Sequence, residues 1–266
     1  MDSQLIHPTA IIHPNAKIGK NVKIGPYCSV GEHVELADNV QLISHVVVDG
    51  RSSIGEGTKI YPFSTIGLAP QDLKYHGEES RLEIGKNNSI REHVTIHLGT
   101  EGGGMLTKIG DNNLLMVGVH IAHDCHVGNQ VVMANNATIA GHVQVEDFVV
   151  IGGLSAVHQF VRLGAHSMIG GMSGSEKDVI PFGTVMGTRA SLGGMNLVGM
   201  RRRGFDKTEI HAVRHFFDLL KTKDTLQNKL EFAEKQPEFI QSQEVQRILT
   251  FMKADSSRQY MMPTGV

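Results

Sequence analysis

An aliphatic residue returns at every sixth position through most of this chain. From Ile6 the hexads read IHPTAI, IHPNAK, IGKNVK, IGPYCS, VGEHVE, LADNVQ, LISHVV, VDGRSS, IGEGTK and IYPFST, and Ile66 opens an eleventh. The register pauses over "LAPQDLKYHGEESRLE" and resumes at Ile84, Ile90 and Ile96. It pauses again at "TEGGGMLTK", then runs unbroken from Ile109 to Ile169. A repeat of this length decides the architecture before any other signal is weighed. One short strand followed by a tight corner makes a flat face with its opening aliphatic pointing inward. Three such faces close a triangular coil of 18 residues, and parallel strands of successive coils stack about 4.8 Å apart. Each coil buries its aliphatic ring only against its neighbours. The fourth hexad position is often Asn or Gly (Asn15, Asn21, Asn39, Gly57, Asn87, Asn112), types that tolerate the left-handed backbone of tight corners. Composition agrees: with 30 Gly, no Trp and 5% aromatics, the core is built from small branched side chains.

The solenoid signal stops near Gly174, where a Pro/Gly-containing connector begins. From "FDKTEIHAVRHFFDLL" the period becomes helical. Asp206 and Glu209 have capping-box spacing, and Ile210, Val213, Phe216, Phe217 and Leu220 share one face. Further helical stretches follow around Leu226–Glu234 and Glu238–Met252. The expected organisation is mainly β: a parallel β-helix domain over 1–190, with loops protruding near 68–83 and 100–108, and a small α-helical domain over 191–266.

Other classes are excluded on simple grounds. With 25 basic and 27 acidic residues there is no general attraction to nucleic acid or a membrane surface. Two cysteines, Cys28 and Cys125, make no disulfide framework and fit a reducing cytosol. "MDSQLIHPTA" has neither the basic nor the apolar region of a signal peptide, and no stretch approaches the roughly 18–20 apolar residues of a membrane span.

Three histidines stand close together in "GVHIAHDCHVGN". The 18-residue coil separates their roles. Positions 18 apart lie one above another, so His123 sits beneath Gly141 and Gly141 beneath Gln159, while His142 lies over Asp124 and His158 over Ala140. An imidazole beside an unobstructed backbone N–H is what acyl transfer requires, the amide serving as oxyanion donor. Asp124 is placed to orient the ring or favour its charged form. His7, His13, His33, His45 and His126 read as ordinary face residues. A metal triplet is the competing reading, but it needs ligands facing one another around an open position, and the spacing of three offers no carboxylate-rich partner set. No metal is expected.

Together, "HIAHDC", "NNATIAGHV", "IGGLSAVHQF", "QDLKYHGE" and "RRRGF" resemble the UDP-N-acetylglucosamine acyltransferases of the hexapeptide-repeat family, over essentially the whole chain. The resemblance implies a left-handed coil, a homotrimer with sites between subunits, and a place in the bacterial cytoplasm. It implies transfer of an (R)-3-hydroxyacyl group to the glucosamine 3-position of UDP-N-acetylglucosamine, the first step of lipid A biosynthesis. It implies no cofactor, the donor being a phosphopantetheine-linked acyl carrier protein. By position, His123 matches the general base, Asp124 its orienting partner and Gly141 the oxyanion donor. His120, His142, His158 and Gln159 match residues lining the sugar, diphosphate and pantetheine parts of the cleft. Gln71, Asp72, Lys74 and Asn196 match ligand contacts, and Arg202 and Arg203 a diphosphate clamp suited to bidentate contact. Gly171 matches an acyl-length ruler, and glycine there leaves the channel open for a long acyl chain.

Two positions depart from the family pattern, Val198 for a glutamate and Arg189 for a histidine, which bears on nucleotide contacts. Three rival functions share the solenoid. The N-acyltransferase acting later in the same pathway carries a separate N-terminal domain, whereas hexads here begin at Ile6. Acetyl-CoA-dependent hexapeptide acetyltransferases are not expected to combine the "QDLKYHGE" loop with the "RRRGF" tail. A purely structural solenoid explains the hexads but not the His/Gly/Gln column.

Overall fold

A computed structural model describes residues 5–263. Among the described residues, strands of mostly two residues form three parallel sheets of nine, eight and ten strands, the last closed by one antiparallel pair. The chain visits the sheets in turn, so residues 18 apart pair: Ile11 with Ser29, Lys17 with Glu35, His120 with Thr138, Thr138 with Ala156. These are the faces of a triangular prism, and the hexad openers fill its interior. Ile60, Ile66, Ile90, Ile96, Leu115, Ile121, Met133, Ile139, Ile151 and Ile169 are all fully buried.

Each hexad buries a second residue that the aliphatic pattern does not reveal. The fifth position turns inward behind the corner, where only compact side chains fit: Val34, Val40, Val46, Ser64, Val94, Cys125, Val131, Ala137, Val143 and Ser155. Where this residue is asparagine, its hydrogen bonds are made internally. Asn88 Nδ2 donates to the Gly110 carbonyl and its Oδ1 accepts the Asn113 N–H; Asn113 repeats the pattern with Gly128 and Val131.

The fourth position is the corner itself. Left-handed φ occurs there at Asn21, Asn39, Asn87, Asn112 and Asn136, as the sequence predicts, although Asn15 is not among these residues. It also occurs at aromatic and histidine residues, including Tyr27, His45, Phe63, His93, His142, Phe148, Phe160, His166 and Phe182. For a side chain with Cβ this backbone costs about 1–2 kcal/mol. Stacking offsets the cost, because corner residues of adjacent coils lie face to face. Phe63 and His93 stack at 5.2 Å, Phe148 and His166 at 4.6 Å, and His166 and Phe182 at 5.1 Å.

The two pauses in the register are insertions at one edge of the prism. Ile84 pairs with Ile54, thirty residues earlier, and Ile109 with Ile84, twenty-five earlier. The coil therefore gains twelve residues in the first loop and seven in the second. Both loops leave from the edge between the strand ending at Leu68 or His97 and the strand beginning at Arg81 or Leu106.

Above the prism a hairpin of Gly183–Met186 and Ser191–Met195 leads into five helices: α1 (Leu197–Arg202), α2 (Lys207–Leu220), α3 (Leu226–Ala233), α4 (Pro237–Gln241) and α5 (Gln243–Lys253). The boundary expected at residue 190 falls inside this hairpin, and the change from strand to helix comes at Asn196. The side chain of Asp206 caps α2 by accepting the Glu209 N–H. Ala212, Val213, Phe216, Phe217 and Leu220 turn inward to meet Val245, Ile248 and Leu249 of α5. No helix among the described residues is long and apolar enough to cross a membrane.

His166 is sandwiched between Phe148 and Phe182, with Phe205 at its edge. Burial, together with nearby Arg203 and Arg247, pushes its pKa down to about 4. The folded protein therefore holds fewer protons here than the unfolded chain between about pH 6.5 and 4. Stability from this group is complete above that window and declines as pH falls through it. Phenylalanine already occupies this corner in the coils on either side, so His166→Phe continues the stack without a titrating group. Its urea midpoint should fall less between pH 7 and pH 5 than that of the wild type; an equal fall contradicts the assignment.

Candidate active site

The edge that bears both insertions also bears the corner Asp124–His142–Phe160. His123 precedes that corner, and His142 N–H donates to its carbonyl at 3.1 Å. Gly141 lies directly against the His123 ring. A Cβ built there would sit 2.6 Å from Cε1 and 2.7 Å from Nε2, so only glycine leaves the imidazole in place. Among the described residues the Gly141 N–H donates to no protein acceptor.

Asp124 governs the chemistry of His123. Its side chain is wholly buried, whereas that of His123 is 15% exposed. One oxygen, Oδ2, is 2.7 Å from His123 Nδ1 and accepts from the Thr100 hydroxyl at 2.6 Å; the other, Oδ1, accepts the Thr100 N–H at 2.8 Å. Burial alone would raise the carboxyl pKa, but the hydrogen bonds from His123 and Thr100 outweigh it and hold it below the usual value. The group is therefore a carboxylate, which only accepts, so Nδ1 of His123 carries the ring proton. Nε2 has no protein hydrogen-bond partner among the described residues, and Gly141 sits beside it. Gly103, in the second insertion, lies so close to the carboxylate that a Cβ would meet it at 2.0 Å.

Other imidazoles surround this pair. His142 stacks on Phe160 at 4.3 Å and meets His123 edge-on at 5.1 Å. Burial lowers its pKa, with Asp124, and more weakly Asp72, acting in the opposite sense. His120 is hydrogen-bonded through Nδ1 to the Thr95 hydroxyl at 2.7 Å and lies edge-on to His97. Burial, reinforced by His120 and His123, pushes His97 down to about 4, and burial with His123 lowers His120 as well. Neutral rings therefore line the site. Outward-facing positions in the coils above His120 shrink in order, Thr138, Ala156, Gly174, and the Thr188 carbonyl packs against Gly174.

His158 and Gln159 occupy the next coil, both exposed. Arg258, from the segment after α5, donates to His158 Nδ1 at 2.9 Å and to the Gln159 carbonyl at 3.2 Å. In the first insertion Gln71 and Lys74 are exposed and Leu73 between them is 100% exposed. The Lys74 N–H donates to Asp72, and Glu78 accepts the Glu101 N–H, tying the two loops together.

The expected tail residues lie elsewhere within one chain. Arg203 Nη2 donates to the Phe148 carbonyl and its guanidinium covers the Phe148 ring at 5.3 Å. Asn196 is buried, its Oδ1 accepting the Gly199 N–H while Nδ2 donates to the His166 carbonyl. Both therefore sit at the Phe148–His166–Phe182 corner, a different edge of the prism from Asp124–His142–Phe160. Arg202, Val198 and Arg189 are exposed. Gly171 is exposed, and a Cβ there would make only an ordinary 3.4 Å contact with Gly153.

Comparison with known proteins agrees with this geometry. A family model described as Udp N-acetylglucosamine O-acyltransferase, domain 2, matches residues 178–261, and one for bacterial transferase hexapeptide repeats matches 5–38 and 106–141. The acyl-[acyl-carrier-protein]–UDP-N-acetylglucosamine O-acyltransferase of Paracoccus denitrificans is 49% identical over 207 residues, 77% of each chain. The chain belongs to the UDP-N-acetylglucosamine O-acyltransferase family. Its coil is the left-handed parallel β-helix of that family. The solved UDP-N-acetylglucosamine O-acyltransferase of Moraxella catarrhalis is 42% identical with a TM-score of 0.90, covering 97% of this chain and 100% of that one. The Francisella novicida UDP-N-acetylglucosamine acyltransferase is 31% identical with a TM-score of 0.94, covering 98% and 95%.

Gly141→Ala tests the close approach directly. The new methyl displaces the His123 ring by a few tenths of an ångström or more, and kcat should fall by about 100-fold, the loss that a misplacement near 1 Å produces. The far-ultraviolet circular dichroism spectrum should stay unchanged; wild-type kcat would show that Gly141 does not constrain the base.

Proposed function

We propose that the protein transfers an (R)-3-hydroxyacyl group from acyl carrier protein to the glucosamine 3-position of UDP-N-acetylglucosamine, with His123 as general base. The observation that supports this most is the arrangement Thr100–Asp124–His123–Gly141, an imidazole whose Nδ1 meets a buried carboxylate and whose Nε2 lies beside an unused N–H. Nε2 removes the proton from the acceptor hydroxyl as its oxygen attacks the thioester carbonyl. The Gly141 N–H stabilises the resulting oxyanion. The imidazolium, held by Asp124, then returns the proton to the departing pantetheine sulfur as the carbon–sulfur bond breaks. The thioester is already activated, so the scheme draws on no cofactor.

In the same reading His120, His142, His158 and Gln159 contact the sugar, diphosphate and pantetheine through hydrogen bonds. Gln71, Asp72 and Lys74 reach the nucleotide sugar. Arg203 and Asn196 lie at another edge of the same chain, so they, with neighbouring Arg202, serve the site only if a second copy supplies them. Fully exposed Leu73, between Asp72 and Lys74, is consistent with a loop seated on a neighbour. These features support sites between subunits, and the family resemblance extends this to a homotrimer in the bacterial cytoplasm. Gly171 with Gly153 leaves room for a long acyl chain.

The test is an acyl-transfer assay with UDP-N-acetylglucosamine and 3-hydroxyacyl carrier proteins of varied length, the product identified by mass spectrometry. A fourteen-carbon donor should be preferred over a ten-carbon one, and Gly171→Met should reverse that order. No 3-O-acylated product with any donor would overturn the assignment of function. A wild-type preference for ten carbons would overturn only the role of Gly171.

A further inference from the structure

A second cluster of metal-ligating side chains lies far from this chemistry, on the outer face of the helical tail. His211 and His215 are separated by four residues on α2, which brings side chains onto one face of a helix. Their neighbours Ala212, Val213, Phe216 and Phe217 turn inward, so both imidazoles face outward. The rings are 4.0 Å apart, centroid to centroid. Glu238, the second residue of α4, places one carboxylate oxygen 3.4 Å from His211 Nδ1 and the other 3.1 Å from His215 Nδ1. All three potential ligand atoms lie within 4.8 Å of one another.

We propose that His211, His215 and Glu238 bind one divalent transition-metal ion of the zinc type, clasping α2 to α4. Zinc takes two histidines and one carboxylate with bonds near 2.0–2.1 Å, and a tetrahedron with such bonds has ligand-to-ligand edges of about 3.3 Å. The observed Nδ1-to-oxygen separations bracket that edge. Two histidines four apart on a helix are also the spacing by which helical zinc sites present paired imidazoles. The backbone holds the set in place, because Phe216, next to His215, packs edge-on to Phe239, next to Glu238, with centroids 5.8 Å apart. The side chains of His211, Glu238 and His215 are 60%, 42% and 46% exposed, so an ion enters freely and water completes its coordination. Each neutral imidazole needs only to carry its proton on Nε2 to offer Nδ1. Nickel, cobalt and copper share this preference for imidazole.

The cluster His123–Asp124–His142 also groups three such side chains, but there the carboxylate is buried and committed to Thr100 and to the base. It supplies the control. The full-length protein, stripped with EDTA, should bind one Zn2+ per chain by isothermal titration calorimetry, and Co2+ should give the visible absorption bands of tetrahedral coordination. His211→Ala/His215→Ala should lose the zinc isotherm and the cobalt bands. Glu238→Gln should weaken binding by roughly tenfold or more, the scale lost even when only an outer partner of a ligand is removed. His142→Ala should bind as the wild type does. Because the two histidines are exposed, the double variant should fold and melt near the apo wild type, and saturating Zn2+ should raise the melting temperature only where the site is intact. Equal zinc affinity in the wild type and the double variant, or no saturable binding by the wild type, would overturn the proposal.

Discussion

The corner that carries His123, Asp124 and Gly141 depends on parallel stacking of coils at the spacing of a β-ladder. Because the coil is 18 residues long, whatever stands at a corner must face the corner residue of the coil below. The chain meets this constraint in two ways. Asparagine and glycine take the left-handed corner at little cost, while histidine, phenylalanine and tyrosine pay for it with ring-on-ring contact. The column Phe148–His166–Phe182 shows the second solution as pure architecture. The column Asp124–His142–Phe160 shows it put to chemical use.

At that second column, burial and hydrogen bonding divide labour. Asp124 is the deepest member, and without partners its charge would be costly to bury. Thr100 supplies two hydrogen bonds and His123 a third, and these satisfy the carboxylate while fixing the histidine tautomer. The same insertion that brings Thr100 also brings Gly103, whose missing Cβ gives the carboxylate its space. The loops are thus part of this corner's support, and Glu78 joins one loop to the other.

What the sequence disclosed follows from the same stacking. A period of six named the coil, the openers named most of the core, and an offset of 18 put Gly141 over His123 and His142 over Asp124. Offsets other than 18 were invisible to that arithmetic. Thr95 meets His120 across 25 residues because the second insertion intervenes, Thr100 meets Asp124 across 24, and Arg258 meets His158 across 100. The fifth hexad position was hidden for another reason: valine, serine, asparagine and cysteine share a size there but not a polarity. For Asn196, Arg202 and Arg203 the resemblance named the residues, but one chain places Asn196 and Arg203 at another edge, so their part in the site is a matter of assembly. His97 stood one coil below the predicted cluster, with no motif to mark it.

The central claim is that Nε2 of His123 takes the proton from the acceptor. It is tested most directly by the steady-state rate of acyl transfer in His123→Ala, measured beside direct binding of UDP-N-acetylglucosamine to the same variant. Loss of a general base costs roughly 10²–10⁴-fold, so kcat should fall by at least that range while assembly and nucleotide-sugar binding remain near wild type. A variant whose kcat stays within about tenfold of the wild type, well short of a general base's usual contribution, would contradict the account.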